Sequence, residues 1–211
     1  MAYTGTYQSP LGNLLLAADD TGLTGLWFEG QKYFARTLPE EQLLKETPVL
    51  AETRHWLNIY FSGKEPAFTP PLHPAGSAFR QAVWQILLQI PYGKTMTYGE
   101  IAREVAKRQQ VSHMSAQAVG GAVGHNAISI IIPCHRVIGA NGSLTGYAGG
   151  IDKKAALLEL ERTITDTRKV LSVTSNLICP CRRSVRARTD WVPMPSPSCL
   201  VERYRPLWVW I

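Results

Sequence analysis

The sequence of 211 residues is poor in the features that mark membrane and secreted proteins. No apolar run approaches the roughly 20 residues that a membrane-spanning helix needs. The first residues, MAYTGTYQSPLGN, lack the basic start and the apolar stretch of a secretory signal. We therefore expect a cytoplasmic protein in a reducing compartment, where four cysteines do not predict a disulfide framework.

Metal-binding spacing is missing as well. The five histidines form no H-x-x-x-H pair. Cys179, Cys181 and Cys199 combine a C-x-C pair with one distant cysteine and no nearby histidine, which is not the spacing of a zinc site. The sequence therefore predicts no bound metal.

The net charge of +6 is unevenly distributed along the chain. Five basic and eight acidic side chains fall in residues 1–75, ten and six in residues 76–168, and seven and two in residues 169–211. The isoelectric point of about 9.3 therefore comes mostly from the last stretch. Charge alone does not identify a nucleic-acid-binding protein, although the basic middle segment is compatible with one.

Short strands and one helix are predicted in the first part of the chain. Residues 3–7, 14–18 and 23–28 are strand candidates separated by the turn sequences SPLGN and DDTG. Residues 47–62 have helical periodicity. Four prolines follow within GKEPAFTPPLHPAG, which predicts a linker because proline interrupts both helices and sheet ladders.

A helix-turn-helix arrangement is predicted after this linker. An amphipathic helix begins at Ser77, and Thr97 with Glu100 forms a capping box that opens the next helix. A further helix opens at Ser112 or Ser115 and runs through AQAVGGAVG. The last two of these helices, joined by a polar loop, are typical of a helix-turn-helix motif.

The AQAVGGAVG helix carries almost no side chains on part of its surface, at Ala116, Gly120 and Gly121. Each glycine costs about 1 kcal/mol of helix stability relative to alanine. Two explanations stay open at this point. One is tight packing between helices, and the other is contact with a ligand such as a groove of DNA.

The remaining part of the chain contains three predicted elements and a basic tail. Residues 128–133, ISIIIP, predict a buried strand, and ANGSLTG at 140–146 has the turn chemistry of a hairpin. A last helix is predicted over residues 152–161. Residues 169–211 hold five prolines and show no periodicity, so we expect this tail to be disordered or weakly packed.

Cys134 is the candidate nucleophile, between an apolar stretch and the pair His135-Arg136. Free cysteines are usually inert core residues, but a histidine base or a nearby cation lowers the pKa of a thiol and activates it. Adjacent side chains on an extended chain point to opposite faces, so His135 reaches Cys134 only if the chain turns or a water bridges them. Glu159 and Glu161 are both candidates to orient the imidazole.

Residues 132–137, IPCHRV, resemble the active-site signature of the O6-alkylguanine-DNA alkyltransferases, the methylated-DNA–protein-cysteine methyltransferases. Further matching segments follow in the family's order: FRQAVW at 79–84, YGEIA at 98–102, AVGG at 118–121, Asn126, and GYAGG at 146–150. The resemblance is strong over residues 77–162 and looser over residues 1–76, and it does not include the tail.

The resemblance implies an α/β (α+β) fold with an RNase-H-like N-terminal domain at 1–66, a linker at 67–76, and a helix-turn-helix (winged-helix-like) alkyltransferase domain at 77–168. It implies direct DNA repair without a cofactor by a monomer that binds the minor groove of double-stranded DNA. The protein would flip out O6-alkylguanine, and also O4-alkylthymine, and transfer the alkyl group irreversibly to its own cysteine. Each molecule would act once, in the cytoplasm and on the nucleoid when bound to DNA.

The same resemblance implies roles for individual residues. Cys134 would be the nucleophile, His135 would take its proton through a water, and Glu161 would hold His135. Tyr98 would donate a hydrogen bond to the leaving guanine, and Asn126 would brace the turn that carries the recognition helix and the active site. The residues expected to contact DNA or the extruded base are Ala116, Gln117, Gly120, Gly121, Arg136, Val137, Tyr147 and Ala148.

Gln117 is a departure from the family's pattern. The family commonly has an arginine at this place on the recognition helix, where it fills the space left by the flipped base. Glutamine is shorter and uncharged but still forms hydrogen bonds. We therefore expect weaker stabilisation of the extruded state without loss of activity.

Two other functions stay open on the sequence. One is a sensor that binds alkylated DNA and signals damage without transferring the alkyl group. The other is a cysteine hydrolase that uses Cys134 and His135 on esters or peptides. The hydrolase interpretation leaves the glycine-rich helix unexplained.

Overall fold

The N-terminal half is a four-stranded sheet with one helix packed against it, in a computed structural model that describes residues 1–162. Strands β1 (Ala2–Ser9), β2 (Gly12–Ala18) and β3 (Leu23–Phe28) form an antiparallel meander, and β4 (Gln42–Leu44) runs parallel to β1. The strand order is β3-β2-β1-β4. The three strands predicted from the sequence are confirmed.

Helix α1 (Pro48–Phe61) packs on this sheet and forms where the sequence predicts it. The side chain of Thr47 caps its start by accepting from the Leu50 N–H, and Pro48 occupies a first-turn position where no N–H is needed. The buried face carries Leu50, Leu57 and Tyr60, which are fully buried. The apolar periodicity thus brings one phenol, Tyr60, into the interior.

The C-terminal half consists of short helices around a small parallel strand pair. Its elements are α2 (Ala78–Leu87), β5 (Met96–Thr97), α3 (Tyr98–Gln109), α4 (Ala116–Gly124), a 3-10 helix (Cys134–Arg136), β6 (Val137–Ile138) and α5 over residues 151–162. Ser77 caps α2, the capping box of Thr97 and Glu100 is present, and Ser115 rather than Ser112 caps α4. The predicted helices are confirmed.

The predicted strand over 128–133 is wrong. These residues are buried as expected, but they form a compact turn in which Ile130 has a φ of +69° and only Ile128 bridges to β3, at Leu26. The Asn126 amide lies 3.0 Å from the Ile128 carbonyl and 2.9 Å from the Ile132 carbonyl, and this bonding curls the segment. A short apolar run indicates that a segment is buried, but it does not distinguish a strand from a buried turn.

The predicted hairpin at 140–146 is also wrong in part. The turn forms, with the Gly139 N–H donating to the Ser143 carbonyl at 2.9 Å. The residues between this turn and α5 form no strand, and β6, which precedes the turn, pairs in parallel with β5. Turn chemistry determined the reversal of the chain, but the pairing partner of β6 came from a distant segment.

Both halves share one buried core within residues 1–162. Leu16, Leu26 and Tyr60 from the first half belong to the same cluster as Val83 and Leu157 from the second. The predicted linker is held to β3, because the Leu23 N–H donates to the Pro71 carbonyl and the His73 N–H donates to the Leu23 carbonyl, each at 2.7 Å. The limits of the two domains stay a prediction.

None of the described helices has the length and apolar character to cross a membrane. The expectations of a disordered tail at 169–211 and of no zinc site at Cys179, Cys181 and Cys199 concern residues outside the described part of the chain.

Candidate active site

Cys134 opens the 3-10 helix directly after Pro133 and is buried, with 4% of its surface exposed. Its sulfur accepts a hydrogen bond from the Asn126 Nδ2 at 3.1 Å. The Asn126 Oδ1 in turn accepts from the Ile128 N–H at 3.0 Å. One side chain therefore holds both the compact turn and the sulfur at its end.

The thiol of Cys134 is not activated by the charges that the sequence suggested. Burial raises its pKa above the ordinary value, while the Asn126 hydrogen bond and the positive charge of Lys154 lower it less strongly. His135 and Arg136 were the candidates to lower this pKa, but burial has the larger effect and raises it, and both side chains are engaged with Glu161. The resting group is a neutral thiol that needs a base.

His135 is placed to be that base. Its Nε2 lies 2.8 Å from the Glu161 Oε1, and both side chains are fully buried. Burial raises the pKa of Glu161, but hydrogen bonds from His135 and Arg136 lower it more strongly, so that the pKa is about 2. Burial also lowers the pKa of His135. A carboxylate facing Nε2 requires the proton there, so Nδ1 is the basic nitrogen.

The Nδ1 of His135 has no hydrogen-bond partner among the residues that the structure describes. Cys134 and His135 lie on a turn of 3-10 helix, which removes the objection that neighbouring side chains must point to opposite faces. Glu161 rather than Glu159 meets the imidazole, since the Glu159 side chain is 72% exposed. The arrangement is that of a thiol beside a neutral imidazole held by a carboxylate.

Arg136 and Val137 lie inside the protein, although the resemblance implies that they contact DNA or the extruded base. The Arg136 Nε lies 2.9 Å from the Glu161 Oε2, its Nη1 donates to the Ile90 carbonyl at 2.6 Å, and its guanidinium lies over the Tyr92 ring. Val137 is fully buried. In this structure Arg136 binds Glu161 and helps to hold its carboxylate against His135. We call Cys134, His135 and Glu161 the relay.

Two functional residues were missed by the sequence reasoning. The Tyr60 hydroxyl donates to the Glu161 Oε1 at 2.9 Å and lies 3.4 Å from the His135 Nε2. The Lys154 Nζ donates to the Val137 carbonyl at 2.5 Å and to the Thr145 carbonyl at 2.7 Å. In the sequence, the only sign of either residue was a polar atom on an otherwise apolar helical face. Such a pattern does not show which residue the polar atom contacts.

Lys154 places a cation in the interior near the sulfur. Burial lowers the pKa of this amine to about 8, against the opposing effect of the Cys134 charge. Its side chain is fully buried in α5, and its two bonds fasten β6 to the segment that follows the 139–143 turn. Lys154 therefore holds the walls of the site and favours the thiolate once that forms.

A cleft of about 280 Å³ lies between α4, the 145–148 segment and a loop of the N-terminal half. Its lining residues are Lys32, Tyr33, Tyr98, Gly120, Gly121, Gly124, His125, Gly146, Tyr147 and Ala148. Four residues expected to bind DNA or base line it: Gly120, Gly121, Tyr147 and Ala148. Cys134 does not line it.

Tyr98 and Tyr147 line this cleft, and the charge of Cys134 affects the pKa of both hydroxyl groups. Burial, and next the negative charge of Cys134, raise the pKa of Tyr98, and the same two causes raise the pKa of Tyr147 well above its ordinary value. The Tyr98 hydroxyl lies 3.1 Å from the Thr145 carbonyl and 3.3 Å from the Gly146 carbonyl. In this conformation its proton is donated to backbone.

The outer face of α4 is open. A β-carbon at Gly121 or Gly124 would meet no other atom within 4 Å, and one at Gly120 would meet only the Tyr98 ring at 3.8 Å. Ala116 and Gln117 are exposed on this helix, while Val119, Ala122 and Val123 form its buried face. Close helix packing therefore does not explain these glycines, and the second explanation, close approach of a ligand, is favoured.

Comparison with known proteins gives a consistent family. The ribonuclease-like domain of 6-O-methylguanine DNA methyltransferase matches residues 2–74, and the DNA binding domain of that family matches residues 78–163. The methylated-DNA–protein-cysteine methyltransferase of Haemophilus influenzae is 43% identical over 161 residues, which is 76% of this chain and 86% of that protein. The protein of the same name from Mycobacterium bovis is 45% identical over 166 residues, 77% of this chain and 94% of its own.

Solved structures agree with the sequence relatives. Mycobacterium tuberculosis OGT in complex with DNA matches with a TM-score of 0.66 at 43% identity, over 76% of this chain and 93% of that one. The O6-methylguanine DNA methyltransferase of Methanococcus jannaschii matches with a TM-score of 0.54 at 28% identity, over 75% and 93%.

A ribonuclease-like sheet domain joined to a helix-turn-helix domain, with a cysteine beside a histidine–glutamate pair, defines a DNA-binding repair methyltransferase whose acceptor is its own cysteine. The chain belongs to the 6-O-methylguanine DNA methyltransferase family, the methylated-DNA–protein-cysteine methyltransferases.

Proposed function

We propose that this protein removes alkyl groups from O6-alkylguanine in double-stranded DNA by transferring them irreversibly to Cys134. The observation that carries the proposal is the buried relay, in which Glu161 holds the proton of His135 on Nε2 and leaves Nδ1 basic beside the Cys134 turn. O4-alkylthymine has an alkyl group on a comparable exocyclic oxygen, and we include it as a second substrate.

DNA recognition is assigned to the open face of α4. Its glycines let a backbone approach closely, which suits insertion into the minor groove of the duplex. The damaged base must leave the stack to reach the protein interior, at a cost of a few kcal/mol. Gln117 is exposed on this face and would hydrogen-bond the base left without a partner.

The extruded base would enter the 280 Å³ cleft beside Tyr98 and Tyr147. For the alkyl carbon to reach the sulfur, the Tyr98 hydroxyl would exchange the Thr145 carbonyl for the purine. Its proton would then stabilise the negative charge that develops on the leaving guanine. The raised pKa of Tyr98 supports this role, because the phenol keeps its proton until the purine needs it.

The chemical step moves one proton and one alkyl group. The Cys134 thiol gives its proton through a water to the His135 Nδ1, and Glu161 stabilises the imidazolium that results. The thiolate then forms a bond to the alkyl carbon while the bond from that carbon to O6 breaks, and its electron pair stays on the guanine. The product is a thioether, which no group in the relay can cleave, so each molecule acts once.

The proposal extends to a monomer that works in the cytoplasm and on the nucleoid when bound to DNA. One extruded base and one sulfur complete the reaction, so a single chain supplies every side chain that the mechanism uses.

Intact-mass spectrometry after mixing with an O6-methylguanine duplex tests the proposal. The wild-type protein gains the mass of one methylene, and a triple variant with serine at Cys179, Cys181 and Cys199 gains the same mass. Cys134→Ser gains none and leaves the lesion in place. A wild-type protein that binds the duplex without gaining mass would be a damage sensor, and turnover of esters without DNA would indicate a hydrolase.

A further inference from the structure

A loop of the N-terminal half reaches the DNA-facing side of the other half. Residues 31–36, here the 31–36 loop, follow β3 and have the sequence QKYFAR. The buried Gln31 Oε1 accepts from the Phe28 N–H at 2.9 Å and from the Ser129 hydroxyl at 3.2 Å. The Lys32 N–H donates to the Ala148 carbonyl at 2.9 Å. The loop is therefore fastened at its base to both the active-site turn and the wall of the cleft.

The tip of the 31–36 loop is held against the recognition helix. The Tyr33 ring stacks on the ring of His125, the residue that ends α4, with centroids 4.3 Å apart and an interplanar angle of 19°. Tyr33 and Ala35 have φ values of +63° and +50°, in the left-handed region that residues with a β-carbon rarely adopt. Such strain persists only where surrounding contacts impose it, and it is concentrated at functional sites.

The loop presents cations and aromatic rings to solvent. The Lys32 Nζ lies 5.0 Å and the Arg36 guanidinium carbon 5.6 Å from the Tyr33 ring centroid. Both cations are exposed, and neither enters an ion pair with another residue of the described range 1–162. Phe34 is 39% exposed between them. Two of the five basic residues of the acidic stretch 1–75 are thus concentrated at this one place.

We propose that the 31–36 loop is a second DNA-contacting element, in which Lys32 and Arg36 bind phosphates of the duplex whose groove α4 enters. Lys32 and Tyr33 line the same cleft as Gly120, Gly121 and Gly124 of α4, so a duplex on the helix passes beside the loop. Exposed lysine and arginine side chains bind the phosphates of a duplex, and such phosphate contacts position a protein on DNA. The inference rests on the proposed function only in that α4 binds DNA.

Salt-dependent binding to an unmodified duplex tests the loop directly. The double variant Lys32→Gln/Arg36→Gln is compared with Lys45→Gln/Lys64→Gln, which removes the same charge from exposed lysines of the N-terminal half outside the loop. Each phosphate contact contributes about 0.9 to the slope of log affinity against log salt. We expect the loop variant to lose between about 1.5 and 2 from the magnitude of this slope and roughly tenfold or more in affinity at low salt. The control stays within about twofold of wild type.

The two results that would overturn the proposal are an unchanged slope in the loop variant and equal losses in both variants, since equal losses mean a general effect of net charge. Methyl transfer from free O6-methylguanine base is measured alongside for the single variant Arg36→Gln, whose side chain does not line the cleft, and stays at the wild-type rate because no phosphate takes part. Binding to undamaged DNA does not require Cys134 chemistry, so a failure of the proposed alkyl transfer is distinguished by the mass experiment above.

Discussion

The relay of Cys134, His135 and Glu161 and the outer face of α4 are built in opposite ways. In the relay, Glu161 accepts from His135, Arg136, Tyr60 and the Gly93 N–H, and these donors lie within 3.2 Å. On the face of α4, a β-carbon added at Gly121 would meet no neighbouring segment within 4 Å. One region is crowded with fixed polar contacts, and the other is bare backbone.

The difference follows from what each region must do. Moving a proton from a thiol to an imidazole requires charges that are already positioned in a dry interior, where their interactions are strong. Approaching a DNA groove requires that side chains be absent, and each glycine in the helix costs about 1 kcal/mol. We therefore expect substitutions on α4 to change DNA affinity without lowering the stability of the protein. Substitutions in the relay should lower both the stability and the rate of methyl transfer.

The largest effect is expected for Glu161→Gln. Removing the carboxylate leaves Arg136 as an unpaired buried cation, which costs about 3–5 kcal/mol of unfolding free energy. The rate of methyl transfer falls by about 100-fold or more, because the imidazole loses its partner. Urea unfolding and single-turnover kinetics measure the two losses.

The pH dependence of this effect has a definite sign. The pKa of Glu161 is lowered from 4.5 to about 2, so its contribution to stability is complete above about pH 4.5 and disappears as the pH falls toward 2. The stability gap between wild type and Glu161→Gln narrows over that range. Glu159→Gln, at an exposed position of the same helix, leaves rate and stability unchanged. A Glu161→Gln protein with the wild-type rate contradicts the relay.

Gly121→Leu should change the stability of the protein and its DNA affinity in opposite directions. The added side chain meets open space and leucine favours helix, so unfolding free energy rises by up to about 1 kcal/mol. Affinity for duplex DNA falls tenfold or more, because the side chain occupies the surface that approaches the groove. Ala51→Leu, at an exposed position of α1, serves as the control and leaves affinity unchanged. Wild-type DNA affinity in Gly121→Leu would show that α4 does not enter a groove.

Tyr60→Phe tests whether the N-terminal half takes part in the chemistry. The variant keeps the ring but removes the hydroxyl that binds Glu161, at a cost of about 2 kcal/mol in unfolding free energy. The carboxylate becomes a stronger partner for His135, so the pKa of the imidazole rises. The acid limb of the pH–rate profile then moves to higher pH, and the neutral-pH rate falls by about tenfold.

A purely structural role of Tyr60 predicts a different profile, in which the rate falls equally at every pH. Tyr7→Phe provides the comparison, because its hydroxyl bonds Asn58 at 2.8 Å on the surface, away from the relay. That variant keeps the wild-type profile.

The smallest effect is expected for Gln117→Ala. Gln117 is exposed on α4 and has no side-chain bond within the described residues. Stability stays within about 0.5 kcal/mol of wild type. Affinity for lesion-containing DNA and the repair rate each fall by a few fold, measured with a duplex that carries O6-methylguanine. If both quantities are unchanged, Gln117 does not stabilise the extruded state.

Local sequence signals predicted much of the fold. The strands at 3–7, 14–18 and 23–28 and the caps at Thr97 and Ser115 follow from turn residues, periodicity and capping chemistry that act over a few positions. The 128–133 segment was assigned to the wrong structure because its conformation depends on the Asn126 side chain, which apolar patterning does not represent.

For the site, the family resemblance pointed to Cys134, His135 and Glu161, and in the structure Glu161 rather than Glu159 contacts the imidazole. The contact of Tyr60 with Glu161 joins residues 101 positions apart, and no local pattern encodes such a pair. The contact of Arg136 with Glu161 could not be predicted for the same reason, since its partner lies on a distant helix.

The amino-acid sequence alone determined the helices and the three strands of the N-terminal meander, because turns, caps and periodicity depend on neighbours along the chain, and its resemblance to a known signature pointed to Cys134 as the nucleophile. The tertiary structure decided the protonation of the Cys134 sulfur, the contacts of Tyr60 and Arg136 with Glu161, and the openness of α4. These depend on burial and on contacts between the two halves, which arise only when the chain has packed.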